Sequence, residues 1–265
     1  MAVDAERVAK PVQKIGKAGM VCYGAVYVVL AWLALQVVMG GRRDDADQTG
    51  ALSQIAAGSG VIVLWVLGIG LFAFALWQAL ETAIGYTWVH KKSKRMRKRI
   101  SSAIRAGTGI TLGIAAVRIA AGGGAGDSDQ KQQEMTAKVM DLPAGVFIVG
   151  LVAAVVIGVG VAGIVTGVRG SFMDDLDPSD LPAGSRKWVE RIGKVGHIAK
   201  GAAVATIGGL IGAAALTRDP DEAGGLDAAL RTMAGQPFGT VLLVAMAIGF
   251  AAFGVYCFAA ARAHR

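Results

Sequence analysis

Charge is scarce in this chain, and cysteine, histidine and proline are scarcer still. Only 17% of the 265 residues are Asp, Glu, Lys or Arg, where an ordinary soluble domain carries roughly 25%. Residues 60–80, 142–168 and 232–261 contain no such residue at all. About 20 apolar residues suffice to cross a bilayer, so each stretch can span one. The two cysteines, Cys22 and Cys257, stand inside apolar runs near opposite ends of the chain. The three histidines, His90, His197 and His264, are scattered. A zinc or haem centre needs convergent ligands at suitable spacing, so neither a metal nor a cofactor is expected. No Ser/His/Asp set, catalytic carboxylate pair or Cys/His set is arranged for chemistry, and no enzymatic activity is expected. The N-terminal 17 residues are polar and the apolar run after them is about 23 long, which is too long for a signal-peptide core.

Glycine is abundant, at 38 residues against 6 prolines. Glycine lets membrane helices approach closely, and here it recurs in a pattern. Ile15-Gly16-Lys17-Ala18-Gly19 returns as Ile192-Gly193-Lys194-Val195-Gly196. A further glycine follows in each copy, at Gly24 and Gly201, and Ile100 and Gly109 keep the same spacing in a degenerate middle copy. Each copy continues with an apolar run, a polar loop, a glycine and a second apolar run. Self-similarity at this period marks repeated supersecondary units.

The expected fold is therefore all-α, with six transmembrane helices built as three tandem two-helix repeats in parallel orientation and pseudo-threefold arrangement. The spans fall at about 18–40, 60–88, 100–122, 143–168, 196–216 and 237–261. Span three carries Arg105 and Arg118, and span five has 17 uncharged residues, Gly201 to Thr217. Both are placed by their alignment with the first span. The chain divides into an N-terminal tail (1–14), a first hairpin (15–90), a basic linker (91–99), a second hairpin (100–170), a linker (171–190) and a third hairpin (191–265).

Eighteen basic residues lie beside the termini and the two linkers, against six in the other three loops. The positive-inside rule then puts both termini and the linkers in the cytoplasm. Eleven acidic residues mark the outer loops, among them Asp44, Asp45, Asp47, Asp219, Asp221 and Glu222. The net charge of +8 would point to nucleic acid in a soluble protein. Here the cations flank apolar spans, so the expected partners are the lipid bilayer and its anionic headgroups at the basic face, with a membrane-protein partner as a further candidate, and no nucleic acid.

In the outer loops, Ala51-Leu52-Ser53-Gln54-Ile55-Ala56 aligns with Ala229-Leu230-Arg231-Thr232-Met233-Ala234. The one-turn spacing of the apolar pairs predicts a short amphipathic helix in each. Gly60, Gly145 and Gly239 then open the second span of each hairpin. Gly109/Gly113, Gly163/Gly167 and Gly208/Gly212 are expected to be packing faces within the chain. Gly122-Gly123-Gly124-Ala125-Gly126-Asp127 lacks the ending of a phosphate loop and reads as a linker. Asp174-Asp175-Leu176-Asp177 reads as a solvated loop.

These residues resemble an actinobacterial membrane-protein family, the domain of unknown function 1206. Gly16, Gly19, Gly24, Val26 and Tyr27 match its first-span pattern, as do Gly193, Gly196 and Gly201. Ala234-Gly235-Gln236-Pro237-Phe238-Gly239 matches the start of its second span. The resemblance covers nearly the whole chain. Where the family often has Arg before the first-span glycine, this chain has Tyr23, Thr108 and Lys200. The resemblance implies a three-repeat plasma-membrane protein and no particular activity.

Polar residues inside spans are the candidate site, because a centred charge costs about 2.5–3.5 kcal/mol to insert. Gln78, Glu81, Arg105, His197 and Lys200 form a candidate intramembrane polar cluster in the cytoplasmic half. Glu81 is the acid among the spans, and Gln78 lies one turn earlier on the same face. Arg105 and His197 occupy equivalent repeat positions. One reading is a polar vestibule with Glu81 paired to Lys200 or Arg105; the other is long side chains snorkelling to the headgroups. The functions to weigh are a non-enzymatic accessory or scaffold protein binding lipid or a membrane partner, and a small transporter or channel with a path between the hairpins.

Overall fold

The computed structural model describes residues 2–39, 51–53, 55, 61–83, 92–123, 128–181 and 184–263. Gly60, His90, His264, the acid-rich run at 44–47 and residues 124–127 of the glycine run lie outside the described residues. Six helices are long and apolar enough to cross a membrane. They are α1 (Ala2–Val38), α2 (Val61–Ala83), α3 (Lys92–Ala120), α5 (Gly145–Arg169), α6 (Arg186–Thr217) and α8 (Gly239–Ala263). Two shorter helices, α4 (Ser128–Met140) and α7 (Leu226–Ala234), sit in loops on the face opposite the termini. There is no strand among the described residues.

The two spans with least hydropathic support are the helices α3 and α6, of 29 and 32 residues. At 1.5 Å per residue each exceeds the roughly 30 Å hydrocarbon layer. Both begin inside the segments expected to be linkers, as α1 begins inside the expected tail. Residues 92–99 contain neither Gly nor Pro, and Lys and Arg are good helix formers, so the basic linker continues the helix that follows it.

The spans pack in chain order. Helix α3 lies on α2, α2 on α1, α1 on α8, α8 on α6, and α6 on α5. No comparable packing joins α3 to α5, so the first and third hairpins are closed and the middle one is open. Glycine accounts for the difference. A Cβ added to Gly19 would lie 2.6 Å from the Phe74 nitrogen, and one on Gly196 would lie 2.6 Å from the Phe253 nitrogen. The equivalent residue of the middle copy is Ile104, 43% exposed. A β-branched side chain stands where close crossing needs none.

Three other crossings join one repeat to the next. Gly24 of α1 meets Gly254 of α8, where added Cβ atoms would lie 2.8 and 2.7 Å from the opposite carbonyl oxygens. Gly201 of α6 meets Gly160 of α5 in the same way, at 2.6 and 2.7 Å. Gly109 of α3 meets Ala75 and the Leu71 carbonyl of α2, at 3.1 and 3.2 Å. Gly24, Gly109 and Gly201 are the glycines picked out by the repeat. The Gly-x-x-x-Gly faces also pack within the chain: Gly113 on Phe72, Gly163 on Gly201, Gly167 on Lys194, Gly208 on Ile157 and Gly212 on Ala153.

The outward surfaces are apolar. Ile62 is 79% exposed, Phe147 74%, Val168 62% and Ile248 60%. A soluble monomer does not present so continuous a surface, whereas lipid tails cover it without cost. On the outer face, Ala51, Leu52, Ala229 and Leu230 are fully buried, so the aligned outer segments cap the bundle interior with their apolar residues. Helix α4 gives the middle repeat an outer helix that the apolar pattern did not reveal. It is tied to the third repeat by Gln132 Nε2 donating to the Gly224 carbonyl at 2.8 Å and Gln133 Nε2 to that of Asp221 at 2.9 Å.

On the basic face the segment after α5 is a strap rather than a solvated loop. Gly170, with φ 66°, ends α5 and turns the chain back. Phe172 and Leu176 are then buried at 2% exposure. Asp175 pairs with Lys98 of α3 at 2.5 Å. The Asp177 amide donates to the Ala263 carbonyl at the end of α8, at 2.6 Å. The Asp177 carboxylate in turn accepts from the Ser179 amide, 3.0 Å away. The strap thus fastens α3 to α8 across the end of the bundle.

Candidate functional site

The five polar residues share one region of the interior, but they do not form one set of ion pairs. Lys200, on α6, points to α1. Its Nζ donates to the Tyr23 hydroxyl at 2.8 Å and sits over the Tyr23, Tyr27 and Phe253 rings at 5.1, 5.2 and 4.6 Å from their centroids. A desolvated cation over aromatic faces gains about 2 kcal/mol, and a hydrogen bond to a charged group about 1.5–3. The two tyrosine hydroxyls are 3.3 Å apart. The charge is held by the chain's own groups, not by snorkelling to headgroups.

His197 is wedged among aromatic rings. It stacks on Phe172 of the strap, centroids 4.6 Å apart and planes within 7°. It meets Phe253 and Tyr256 edge-on at 5.2 and 5.0 Å. Its Nδ1 lies 2.8 Å from the Gly193 carbonyl. A carbonyl only accepts, so Nδ1 carries the proton. Arg105, half-buried on α3, lies within electrostatic reach of both His197 and Tyr256.

Glu81 pairs with neither Lys200 nor Arg105. The charges that act on its carboxyl are Asp175 and Lys98, which already pair with one another. The expected Glu81–Lys200 pair fails because Tyr23 and the rings take the ammonium. Glu81 Oε2 and Gln78 Oε1 are both buried and accept no hydrogen bond among the described residues. Gln78 is 1% exposed. Thr82, beside them, bonds backwards to the Gln78 carbonyl at 2.8 Å and across to that of Arg99 at 3.3 Å.

The cluster is partly enclosed: Gln78 and His197 are buried, and Glu81, Arg105 and Lys200 are half-buried. Phe172 and Leu176 cover it on the basic face. Towards the other face the interior is filled by Leu30, Leu33, Leu64, Leu71 and Phe250, none more than 1% exposed.

Sequence reasoning passed over Tyr23, Tyr27 and Phe253 as partners, and the Lys98–Asp175 bridge. A signal for the first was present. Tyr23 and Lys200 are equivalent repeat positions, each preceding the crossing glycine. Phe74 and Phe253 are equivalent positions of the second spans. Tyr23 stacks on Phe74, centroids 4.9 Å apart, as Lys200 lies over Phe253. Equivalent residues of repeats one and three thus use the same packing site within their own hairpins, and meet each other between them.

Six long apolar helices around a buried polar cluster define a multi-pass helical membrane protein. The chain belongs to the family described as Domain of Unknown Function (DUF1206), which matches it three times, at residues 18–85, 100–170 and 195–264. A Bacillus subtilis (strain 168) relative, the uncharacterized protein YxxB, is 30% identical over 247 residues, which cover 92% of this chain and 88% of the relative. No solved structure matches the chain.

Proposed function

We propose that this chain is a non-enzymatic accessory or scaffold protein of the plasma membrane, binding anionic lipid or a membrane partner, with both termini in the cytoplasm. The orientation rests on the excess of Lys and Arg on the face carrying the termini and the strap. The architecture is read as three parallel hairpins around a pseudo-threefold axis, supported by the equivalent crossings at Gly24, Gly109 and Gly201 and by a family match in each repeat. The ring stays open at its middle hairpin.

The observation that carries the scaffold reading is the occupancy of Lys200. A transport site keeps its charges available to a passing ligand, whereas this ammonium is bonded to Tyr23 and enclosed by three rings. The aliphatic layer beyond it supports the same reading. The test is gentle detergent extraction and co-purification, with the protein also reconstituted alone in proteoliposomes. A partner or anionic lipid should co-purify, and the reconstituted protein should carry no ion or solute flux. Flux that depends on the protein would overturn the reading.

A second reading, a small transporter, is favoured by the two orphaned acceptors, Gln78 Oε1 and Glu81 Oε2. Buried polar atoms without partners are rare and call for an explanation. If they serve a path, Glu81→Gln keeps the fold and abolishes the flux. In a scaffold the same variant leaves lipid and partner retention unchanged.

A further inference from the structure

A groove of about 600 Å³ lies between α1 and α8 at the basic end of the bundle. Lys17, Ala18 and Val21 line it from α1, and Val255, Phe258 and Arg262 line it from α8. Its origin is the Gly24–Gly254 crossing. That contact draws the two backbones together nearer the middle of the spans, and crossed helices diverge away from their contact. The small Ala18 leaves the widening gap unfilled.

The chemistry of the groove is divided along the membrane normal. Lys17 and Arg262 stand at the basic rim. Below them the walls are apolar, with Val21 and Val255 44% and 48% exposed. Among the described residues no acidic side chain lines the groove. Lys17 Nζ donates to the Arg262 main-chain carbonyl at 3.1 Å. That bond uses one of three ammonium hydrogens and fixes the charge at the rim.

We propose that this groove is a binding site for one anionic phospholipid of the leaflet on the basic face. The phosphodiester sits between Lys17 and Arg262, and one acyl chain runs over Ala18, Val21, Val255 and Phe258. The proposal rests on the lipid-binding reading above and gives it a place and a ligand class. Basic pockets between membrane helices select anionic headgroups by charge. A soluble phosphate would meet the two cations but leave the apolar walls uncovered, so the acyl chain belongs to the recognition.

The test uses the full chain in a neutral maltoside detergent, titrated with dioleoyl phosphatidylglycerol or dioleoyl phosphatidylcholine and read by native mass spectrometry. Wild type should retain one phosphatidylglycerol in preference to phosphatidylcholine. Lys17→Ala with Arg262→Ala should weaken phosphatidylglycerol binding about thirtyfold, or ~2 kcal/mol, at about 1 kcal/mol per basic residue near a headgroup. Phosphatidylcholine binding should not change. Ala18→Phe, which fills the groove and keeps both charges, should weaken both lipids. Competition by soluble glycerol phosphate at equal concentration would overturn the acyl-chain part. Undiminished phosphatidylglycerol binding in both variants would overturn the groove while leaving lipid binding in place. A wild type that does not distinguish the two lipids would overturn the anionic-lipid reading itself.

Discussion

Two alanine substitutions of the same chemical kind should move stability in opposite directions. At Gly24 the added methyl would lie 2.8 Å from the Gly254 carbonyl oxygen, 2.9 Å from Cys257 Cβ and 2.9 Å from Phe258 Cε1. The oxygen belongs to a helix backbone and cannot rotate away, so α8 must shift. Overpacking of this kind costs about 1–3 kcal/mol. Replacing Gly by Ala inside a helix returns at most ~1 kcal/mol. With the full propensity gain subtracted, the net for Gly24→Ala is a loss of up to about 2 kcal/mol. At Gly107, on the outer surface of α3, an added Cβ meets nothing within 4 Å, so Gly107→Ala keeps the propensity gain alone. Thermal melting in detergent reads both. At about 2–4 °C per kcal/mol for a chain of this size, Gly24→Ala should fall by several degrees and Gly107→Ala should hold or rise. Equal shifts of the same sign would refute the argument that close crossings, rather than glycine flexibility, explain the repeated glycines.

Tyr23→Phe removes the acceptor of the Lys200 ammonium without changing ring packing; melting should show a loss of about 1.5–3 kcal/mol, and Lys200→Met should suppress that loss in the double variant. Lys98→Ala strands Asp175 of the strap and should lower stability by about 1–3 kcal/mol, while Lys98→Ala with Asp175→Ala should recover part of it; a double variant no better than the sum of the singles would deny the pairing. For topology, Arg95→Cys and Asp180→Cys should resist an impermeant thiol reagent in intact cells and Glu222→Cys, exposed in the loop on the opposite face, should react; the reverse pattern would invert the orientation.

The fold was legible to the extent that it is written in composition and spacing. Three charge-free stretches and the Gly16/Gly19/Gly24 pattern suffice to place six helices and to pair Gly24 with Gly201. They also foretell a divergent middle copy. They do not foretell that this hairpin opens, because that follows from the Ile104 side chain standing, 43% exposed, where a close crossing needs a glycine. The polar cluster was legible as a set of residues and not as a set of bonds. Periodicity puts Glu81 and Lys200 at a similar depth, but which group the ammonium reaches is decided by the rotation of α1 and α6 about their axes, which hydropathy does not carry. The strap was missed for a related reason. Asp174–Asp177 looks solvated by composition, yet Phe172 and Leu176 flank the acids and bury themselves, bringing Asp175 to Lys98. Helix α4 was missed because its polar sequence, Ser128-Asp129-Gln130-Lys131-Gln132-Gln133-Glu134, holds it by hydrogen bonds rather than by an apolar stripe.

The scaffold reading turns on there being no water-filled path through the polar cluster. Ser102, fully buried on α3 between Arg99 and Arg105, reports on this directly. Ser102→Cys changes one atom, and Cys22→Ala with Cys257→Ala removes the native thiols. A hydrophilic maleimide applied to both faces of reconstituted protein should leave Cys at 102 unmodified until the chain is denatured, while a Glu222→Cys control, at an exposed position, reacts at once. Labelling at 102 in the native protein at the rate of the control would show a water-filled path through the cluster and contradict the scaffold reading.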